Sequence, residues 1–255
     1  MVEIASDEEV REVEGVSRDA FLIGQDVEGV LFDNTTPFIE FYNRVFGTGF
    51  ALSDVDDYEL GEVGRDFEER RPGYRTEHLF NGVPEELPEP EPGFEPFHPA
   101  VNRFWREDAE RVKEGKKPEH LDPMEKGLPG SLKELKTAAE DCFGEAHLYI
   151  LTGRSGTEEE MKTLLEDTGI IEGEHYDGFH VVPDVGPEDK LDKDYNLYVD
   201  DAPHRPVQAE GEDIVFAYNT NSNDAHRGYE RAGSVGIPDM ESASHTLRWL
   251  ESEVL

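Results

Sequence analysis

Three short apolar runs in this chain each end on residues that carry chemistry. That pattern constrains the fold more than any other feature. The runs are Phe21-Leu22-Ile23-Gly24-Gln25-Asp26, His147-Leu148-Tyr149-Ile150-Leu151-Thr152 and Asn196-Leu197-Tyr198-Val199-Asp200-Asp201. They read as buried strands of an open parallel α/β sheet, in which the carboxyl ends of the strands line one ligand-binding crevice. Asp26, Thr152 and the pair Asp200-Asp201 would then meet, with Lys190 arriving from the segment before the third run. Carboxylates, a hydroxyl and an ammonium in one cleft suit a magnesium-dependent phosphoryl transfer.

The rest of the chain agrees with such a sheet. Residues 37–46 have helical periodicity, with Pro37 in the first turn and Gly47 as the stop. Ser131 is a good N-cap for a helix with Leu132, Leu135 and Ala139 on one face and Gly144 as its stop. A strand over 147–151 follows, then a helix from Thr157 with Met161, Leu164 and Leu165 as its stripe and Gly169 at its end. Short strands at 179–182, 196–200 and 214–218 and an amphipathic helix from Ala243 to Leu255 complete the pattern. Strand and helix alternate after residue 129, which predicts a doubly wound parallel sheet.

Between about 50 and 128 apolar residues thin out and charge dominates. The stretch Pro84-Glu85-Glu86-Leu87-Pro88-Glu89-Pro90-Glu91-Pro92-Gly93 can be neither a regular helix nor a central strand. Aromatic residues flank it, from Phe67 to Phe104 and Trp105. Residues 49–128 are therefore expected to be an inserted, mostly helical cap with a Pro/Glu-rich loop. Residues 20–48 and 129–255 form the α/β core, and residues 1–19 are an acidic arm.

The chain of 255 residues holds 60 acidic and 24 basic residues, a formal charge of −36. The acid is spread along the whole length, as in proteins adapted to a high-salt cytoplasm; a mimic of nucleic acid is the alternative reading. No basic stripe is present to neutralise a phosphate backbone, which argues against binding duplex nucleic acid. The single cysteine, Cys142, rules out an internal disulfide, fits a reducing interior and suits helix packing. No run approaches the length of a membrane span and the N-terminus lacks a signal-peptide pattern, so the expected location is the cytoplasm, away from membranes. The oligomeric state is left open between monomer and homodimer.

Asp26-Val27-Glu28-Gly29-Val30 follows the first run directly. Two carboxylates two residues apart can divide the labour: one attacks phosphorus, the other protonates the leaving oxygen and later activates water. Gly29 lets the backbone turn past them. Thr152-Gly153-Arg154 precedes a helix, where a hydroxyl and free amides can hold an anion. Adjacent carboxylates at the end of an apolar strand, as at Asp200-Asp201, are uncomfortable unless a cation neutralises them. The histidines form no H-E-x-x-H pattern and Cys142 stands alone, so no zinc site is indicated. Trp105 and the aromatic residues near it could stack on a base, but packing within the cap is the better reading.

Taken together, these residues resemble the four motifs of the haloacid-dehalogenase-like (HAD) phosphohydrolase superfamily: an Asp-x-Asp loop, a strand-end Thr or Ser, a Lys, and a strand-end acidic pair. Within it, Asp26-Val27-Glu28-Gly29-Val30-Leu31, Leu151-Thr152-Gly153-Arg154 and Val199-Asp200-Asp201-Ala202-Pro203 look most like the deoxyribonucleotidase branch, the cytosolic 5′-nucleotidases of type C. The resemblance covers residues 20–46 and 129–255, and the insertion matches in position alone. It implies a Rossmann-like sheet with a helical cap and magnesium as cofactor. Asp26 would be the nucleophile and a metal ligand. Glu28 would be the general acid/base and offer its backbone carbonyl to the metal. Thr152, Gly153 and Lys190 would hold the phosphoryl group, with Lys193 as the other candidate lysine. Asp200 and Asp201 would be the remaining metal ligands. The implied activity is hydrolysis of a small phosphomonoester, a nucleotide among the candidates, through an aspartyl-phosphate on Asp26. Glu28 departs from the family's Asp. The extra methylene displaces the carboxyl by about an ångström, which can cost ~100-fold in rate. The alternative is therefore a catalytically weakened protein that still binds phosphate and metal.

Overall fold

A computed structural model of the protein describes residues 20–33, 35–46, 49, 51, 97–152, 158–181, 195–201, 214–218 and 234–253. In chain order its elements are β1 (Phe21–Asp26), β2 (Phe32–Asp33), α1 (Thr35–Phe46), α2 (Phe97–Lys113), β3 (Asp122–Pro123), α3 (Leu128–Phe143), β4 (Ala146–Thr152), α4 (Glu158–Asp167), β5 (Gly178–Val181), β6 (Leu197–Asp200), β7 (Ile214–Tyr218), β8 (Ser234–Ile237) and α5 (Met240–Glu253). The chain divides into two compact units.

The first unit comprises Met1–Leu31, Pro123–Ser155 and Thr168–Leu255. Its six strands form one sheet in the order β5-β4-β1-β6-β7-β8. Every neighbouring pair is parallel. The fold class is therefore α/β with a parallel sheet, as the alternation of apolar runs predicts. From β1 the chain adds β4 and β5 on one side, then β6, β7 and β8 on the other. The order reverses between β1 and β6, the place where open α/β sheets bind ligands. The register sets Asp26 beside Leu151 and Gln25 beside Val199. Thr152 thus stands one residue past Asp26, and Asp200 is level with it.

Helices α3 and α5 pack against each other. Leu132, Leu135, Ala138 and Ala139 of α3 and Ala243, Leu247 and Leu250 of α5 are buried. Full burial of each leucine contributes about 1.5–3 kcal/mol. A cluster of Ala20, Leu22, Tyr149, Leu151, Tyr195 and Tyr198 fills a second part of the core. Cys142 lies half-buried in α3, in keeping with a packing role.

Several boundaries differ from the sequence reading. Helix α3 starts at Leu128, so Ser131 is not its N-cap; the Ser131 N–H donates to Gly127 O at 3.1 Å inside the first turn. Pro129 explains the shift: its fixed φ suits a first turn, where its missing N–H is not needed. Gly144 does end α3, at φ +91, with its N–H donating to Glu140 O. Helix α5 starts at Met240, and Asp239 caps it by accepting the Ser242 N–H at 2.8 Å. Strand β8 was not anticipated; Ser-Val-Gly-Ile is too short and too interrupted by glycine to carry an alternation signal.

The second unit comprises Phe32–Asp122 and Gly156–Asp167. It takes in α1 and α4 as well as the described residues of the 49–128 insertion up to Asp122; residues 123–128 belong to the first unit. The Pro/Glu-rich stretch 84–93 and the 1–19 arm lie outside the described residues. Phe38, Phe41, Phe104 and the His120 ring stack or meet edge to face, and Trp105 packs edge-on against Phe32 and Phe104. Trp105 is 2% exposed, which favours packing over base stacking. Asp108, fully buried, accepts the N–H groups of Glu119, His120 and Leu121 at 2.7, 2.9 and 2.9 Å. Among the described residues no helix is long and apolar enough to cross a membrane.

Candidate functional site

Asp26 ends β1 with its side chain buried, and its Oδ1 accepts the Val27 N–H at 2.8 Å. The chain then turns tightly. The Leu31 N–H donates to Val27 O at 2.9 Å, and Gly29 sits at φ +72°. The turn brings Gly29 against the Asp201 carboxylate; a Cβ at position 29 would lie 1.8 Å from Asp201 Oδ2. Asp200 ends β6 and Asp201 follows it, both buried. Asp26, Asp200 and Asp201 each offer a carboxylate oxygen, and these oxygens lie within 4.8 Å of one another.

Three buried carboxylates at this spacing repel one another, and burial removes the water that would screen them. A cation offsets both effects. The donors are all hard oxygens, the set a magnesium ion takes at about 2.0–2.1 Å. The residues present therefore fit a divalent cation between the ends of β1 and β6.

Thr152 ends β4 and is 2% exposed. Its hydroxyl lies 2.9 and 3.0 Å from the two Glu28 carboxylate oxygens and donates to that group. The Glu28 side chain thus reaches across to Thr152, while the three aspartates form a group without it. Of the residues expected at the site, Asp26, Glu28, Thr152, Asp200 and Asp201 come together in the first unit. Gly153, Lys190 and Lys193 lie outside the described residues.

Two supports were not foreseen. Gln25, fully buried, donates from Nε2 to the Asp26 carbonyl at 2.9 Å, while its Oε1 has no hydrogen-bond partner among the described residues. A polar side chain inside an apolar run was the signal for it. The second is Glu125, whose Oε1 accepts from the Tyr218 hydroxyl at 2.6 Å and from the Met240 N–H at 2.7 Å. It joins the carboxyl end of β7 to the start of α5, where a negative charge is favoured. Burial, then the hydrogen bond and charge of Glu125, push the Tyr218 phenol well above its ordinary range.

The fold recurs among solved structures of HAD proteins. A haloacid dehalogenase-like protein of unknown function from Agrobacterium tumefaciens aligns with 91% of this chain and 99% of its own, at TM-score 0.55 and 12% identity. A subfamily IA hydrolase of the superfamily from Geobacter sulfurreducens aligns with 90% and 97%, at TM-score 0.52 and 17% identity. A HAD family hydrolase from Deinococcus radiodurans, solved with bound phosphate and sodium, aligns with 93% and 97%, at TM-score 0.51 and 15% identity. No protein-family model matches the chain, and no curated protein matches it significantly. The similarity is therefore one of fold: a Rossmann-like HAD sheet with flanking helices. Type C 5′-nucleotidases are named in none of the three.

Proposed function

We propose that the protein is a magnesium-dependent phosphomonoester hydrolase. The observation that carries this reading is the meeting of Asp26, Asp200 and Asp201, all buried, at the carboxyl ends of β1 and β6. A fold shared with proteins named as HAD hydrolases, one of them holding phosphate, supports it. Asp26 attacks phosphorus, the bond from phosphorus to the leaving oxygen breaks, and Glu28, once displaced from Thr152 and protonated from solvent, gives that oxygen its proton. Water then attacks the phosphoryl group on Asp26, Glu28 takes the water's proton, the bond from phosphorus to the Asp26 oxygen breaks, and inorganic phosphate leaves. Thr152 and Gly153 bind phosphoryl oxygens, and Lys190 or Lys193 offsets their charge. Asp26, Asp200, Asp201 and the Glu28 carbonyl would hold magnesium, which supplies positive charge to the transferring group. The 49–128 segment, as a cap, would select the alcohol or nucleoside carrying the phosphate.

The test is hydrolysis of a panel of phosphomonoesters, 5′- and 3′-nucleotides included, in molar potassium chloride with magnesium. Turnover that vanishes in Asp26→Asn is the expected result. Turnover intact in that variant sinks the proposal. The Thr152–Glu28 hydrogen bond favours a second reading, a phosphate- and cation-binding protein with weakened turnover. A rise in turnover for Glu28→Asp, in a protein whose wild type already binds phosphate, separates it from the first.

A further inference from the structure

We infer that Glu28 is a competing occupant of the phosphoryl pocket, and that a substrate must displace it from Thr152 to bind. The inference deepens the phosphatase reading and rests on it. A threonine hydroxyl carries one hydrogen. That hydrogen is directed at the Glu28 carboxylate, with the two oxygens at 2.9 and 3.0 Å. It cannot at the same time serve a phosphoryl oxygen. A carboxylate seated there also meets an arriving phosphoryl group as one anion meets another.

Both partners are anchored, so the backbone does not relieve the competition. Thr152 belongs to β4, which is paired with β1 up to Leu151 and, at Thr152 itself, with Val181 of β5. Glu28 sits in the turn closed by the Leu31–Val27 hydrogen bond, and its neighbour Gly29 lies against Asp201. The pocket is therefore cleared by rotation of the Glu28 side chain. Its length is what makes the contact. An aspartate at 28 would withdraw the carboxyl by one carbon–carbon bond, ~1.5 Å, and would not span the gap from the same backbone position. The replacement of the family's aspartate by Glu28 thus acts on ground-state binding as well as on proton transfer.

The experiment is calorimetric titration of inorganic phosphate, with magnesium present, into wild type, Glu28→Ala, Thr152→Val and the double variant. Release of one charge-assisted hydrogen bond predicts that Glu28→Ala binds phosphate about tenfold tighter than wild type. The gain should disappear in the Thr152→Val background, because the hydroxyl under dispute is gone. An equal gain in both backgrounds would mean that Glu28 acts through its charge alone, and would overturn the competition. So would the absence of any gain in a Glu28→Ala protein that melts like wild type. Glu28→Asp provides the same reading if the alanine variant does not fold. Failure of wild type and Glu28→Ala alike to bind phosphate removes the phosphoryl site itself, and the phosphatase reading falls with the inference. Phosphate binding and turnover in wild type without the gain leave that reading standing and remove the inference alone.

Discussion

Gly29 and Asp201 approach so closely that no side chain fits between them: a Cβ on residue 29 would stand 1.8 Å from Asp201 Oδ2. Gly29 also holds φ +72°, a conformation that costs an L-residue roughly 1–2 kcal/mol. Gly29→Ala should therefore be destabilised, and it should lose activity out of proportion to that loss. The added methyl has to push Asp201 or the Asp26 turn aside, and a displacement of about an ångström at reacting groups can cost ~100-fold. Turnover and melting temperature measured on one preparation check this. A variant that melts lower but turns over normally would show that the contact does not hold the site in register.

The three aspartates lead to an expectation of opposite sign. Their oxygens lie within 4.8 Å of one another in a buried setting, so like-charge repulsion among them should weaken the fold when no cation is bound. Asp200→Asn removes one charge and nearly preserves the shape. In a chelator it should melt higher than wild type, by an amount worth on the order of 1 kcal/mol or more. Magnesium should then raise the wild-type melting temperature and leave that of the variant almost unchanged. Scanning calorimetry of both proteins with and without magnesium decides the matter. A variant that melts lower in chelator would mean that Asp200 supports the fold in some other way.

The meeting of the candidate residues was legible because they announce themselves by position. Asp26, Thr152 and Asp200 each close an apolar run, and a parallel sheet brings such ends level. What could not be read was how the side chains are spent once there. Nothing in the order of residues says that the Thr152 hydroxyl points at Glu28, because that contact joins positions far apart in sequence and depends on the length of one side chain. The Gly29–Asp201 approach has the same character: the glycine was expected to turn the chain, and it also makes room for a carboxylate from another strand. Asp108 was invisible for a third reason. In a chain with 60 acidic residues, the one that is buried and accepts three backbone N–H groups looks like all the others. Helix ends were misplaced where turn chemistry competed, as when Pro129 overrode the capping preference of Ser131.

Alkaline pH should weaken the fold through Tyr218. Burial and the neighbouring Glu125 raise its pKa in the folded protein. In the unfolded chain a tyrosine titrates near 10. A group with a raised folded pKa contributes stability that is fully present below the unfolded value and lost as pH climbs toward the folded one. The loss should thus begin near pH 10 and steepen above it. The Cys142 thiol, raised by burial and by Glu251, acts in the same direction from about pH 8.5 upward. Tyr218→Phe should flatten the decline above pH 10. It should also melt lower than wild type at neutral pH, because Glu125 loses the hydroxyl it accepts from. Melting curves from pH 7 to 11 test both halves, and parallel alkaline slopes for the two proteins would sink the assignment to Tyr218.

Salt should stabilise this protein, and the charge balance gives the sign. Added salt weakens attraction and repulsion together, so the outcome depends on which is more abundant. Attractive contacts do exist on the surface, among them Arg44–Glu119 at 3.1 Å, Lys162–Glu158 at 2.7 Å and Arg248–Asp141 at 2.7 Å. Exposed pairs of this kind are worth about 0–1 kcal/mol each. With 60 acidic residues against 24 basic, the chain is left with a net −36 that no internal pairing can cancel. Repulsion among the surplus carboxylates therefore dominates. The screening length falls from about 10 Å at 0.1 M salt to about 3 Å at 1 M, which removes most contacts between like charges that are not adjacent. The melting temperature should rise steadily with potassium chloride over that range, with sucrose as a control for effects unrelated to charge. A melting temperature that stays level or falls would mean that the paired contacts outweigh the surplus, and that the acidic surface does not make the fold dependent on salt.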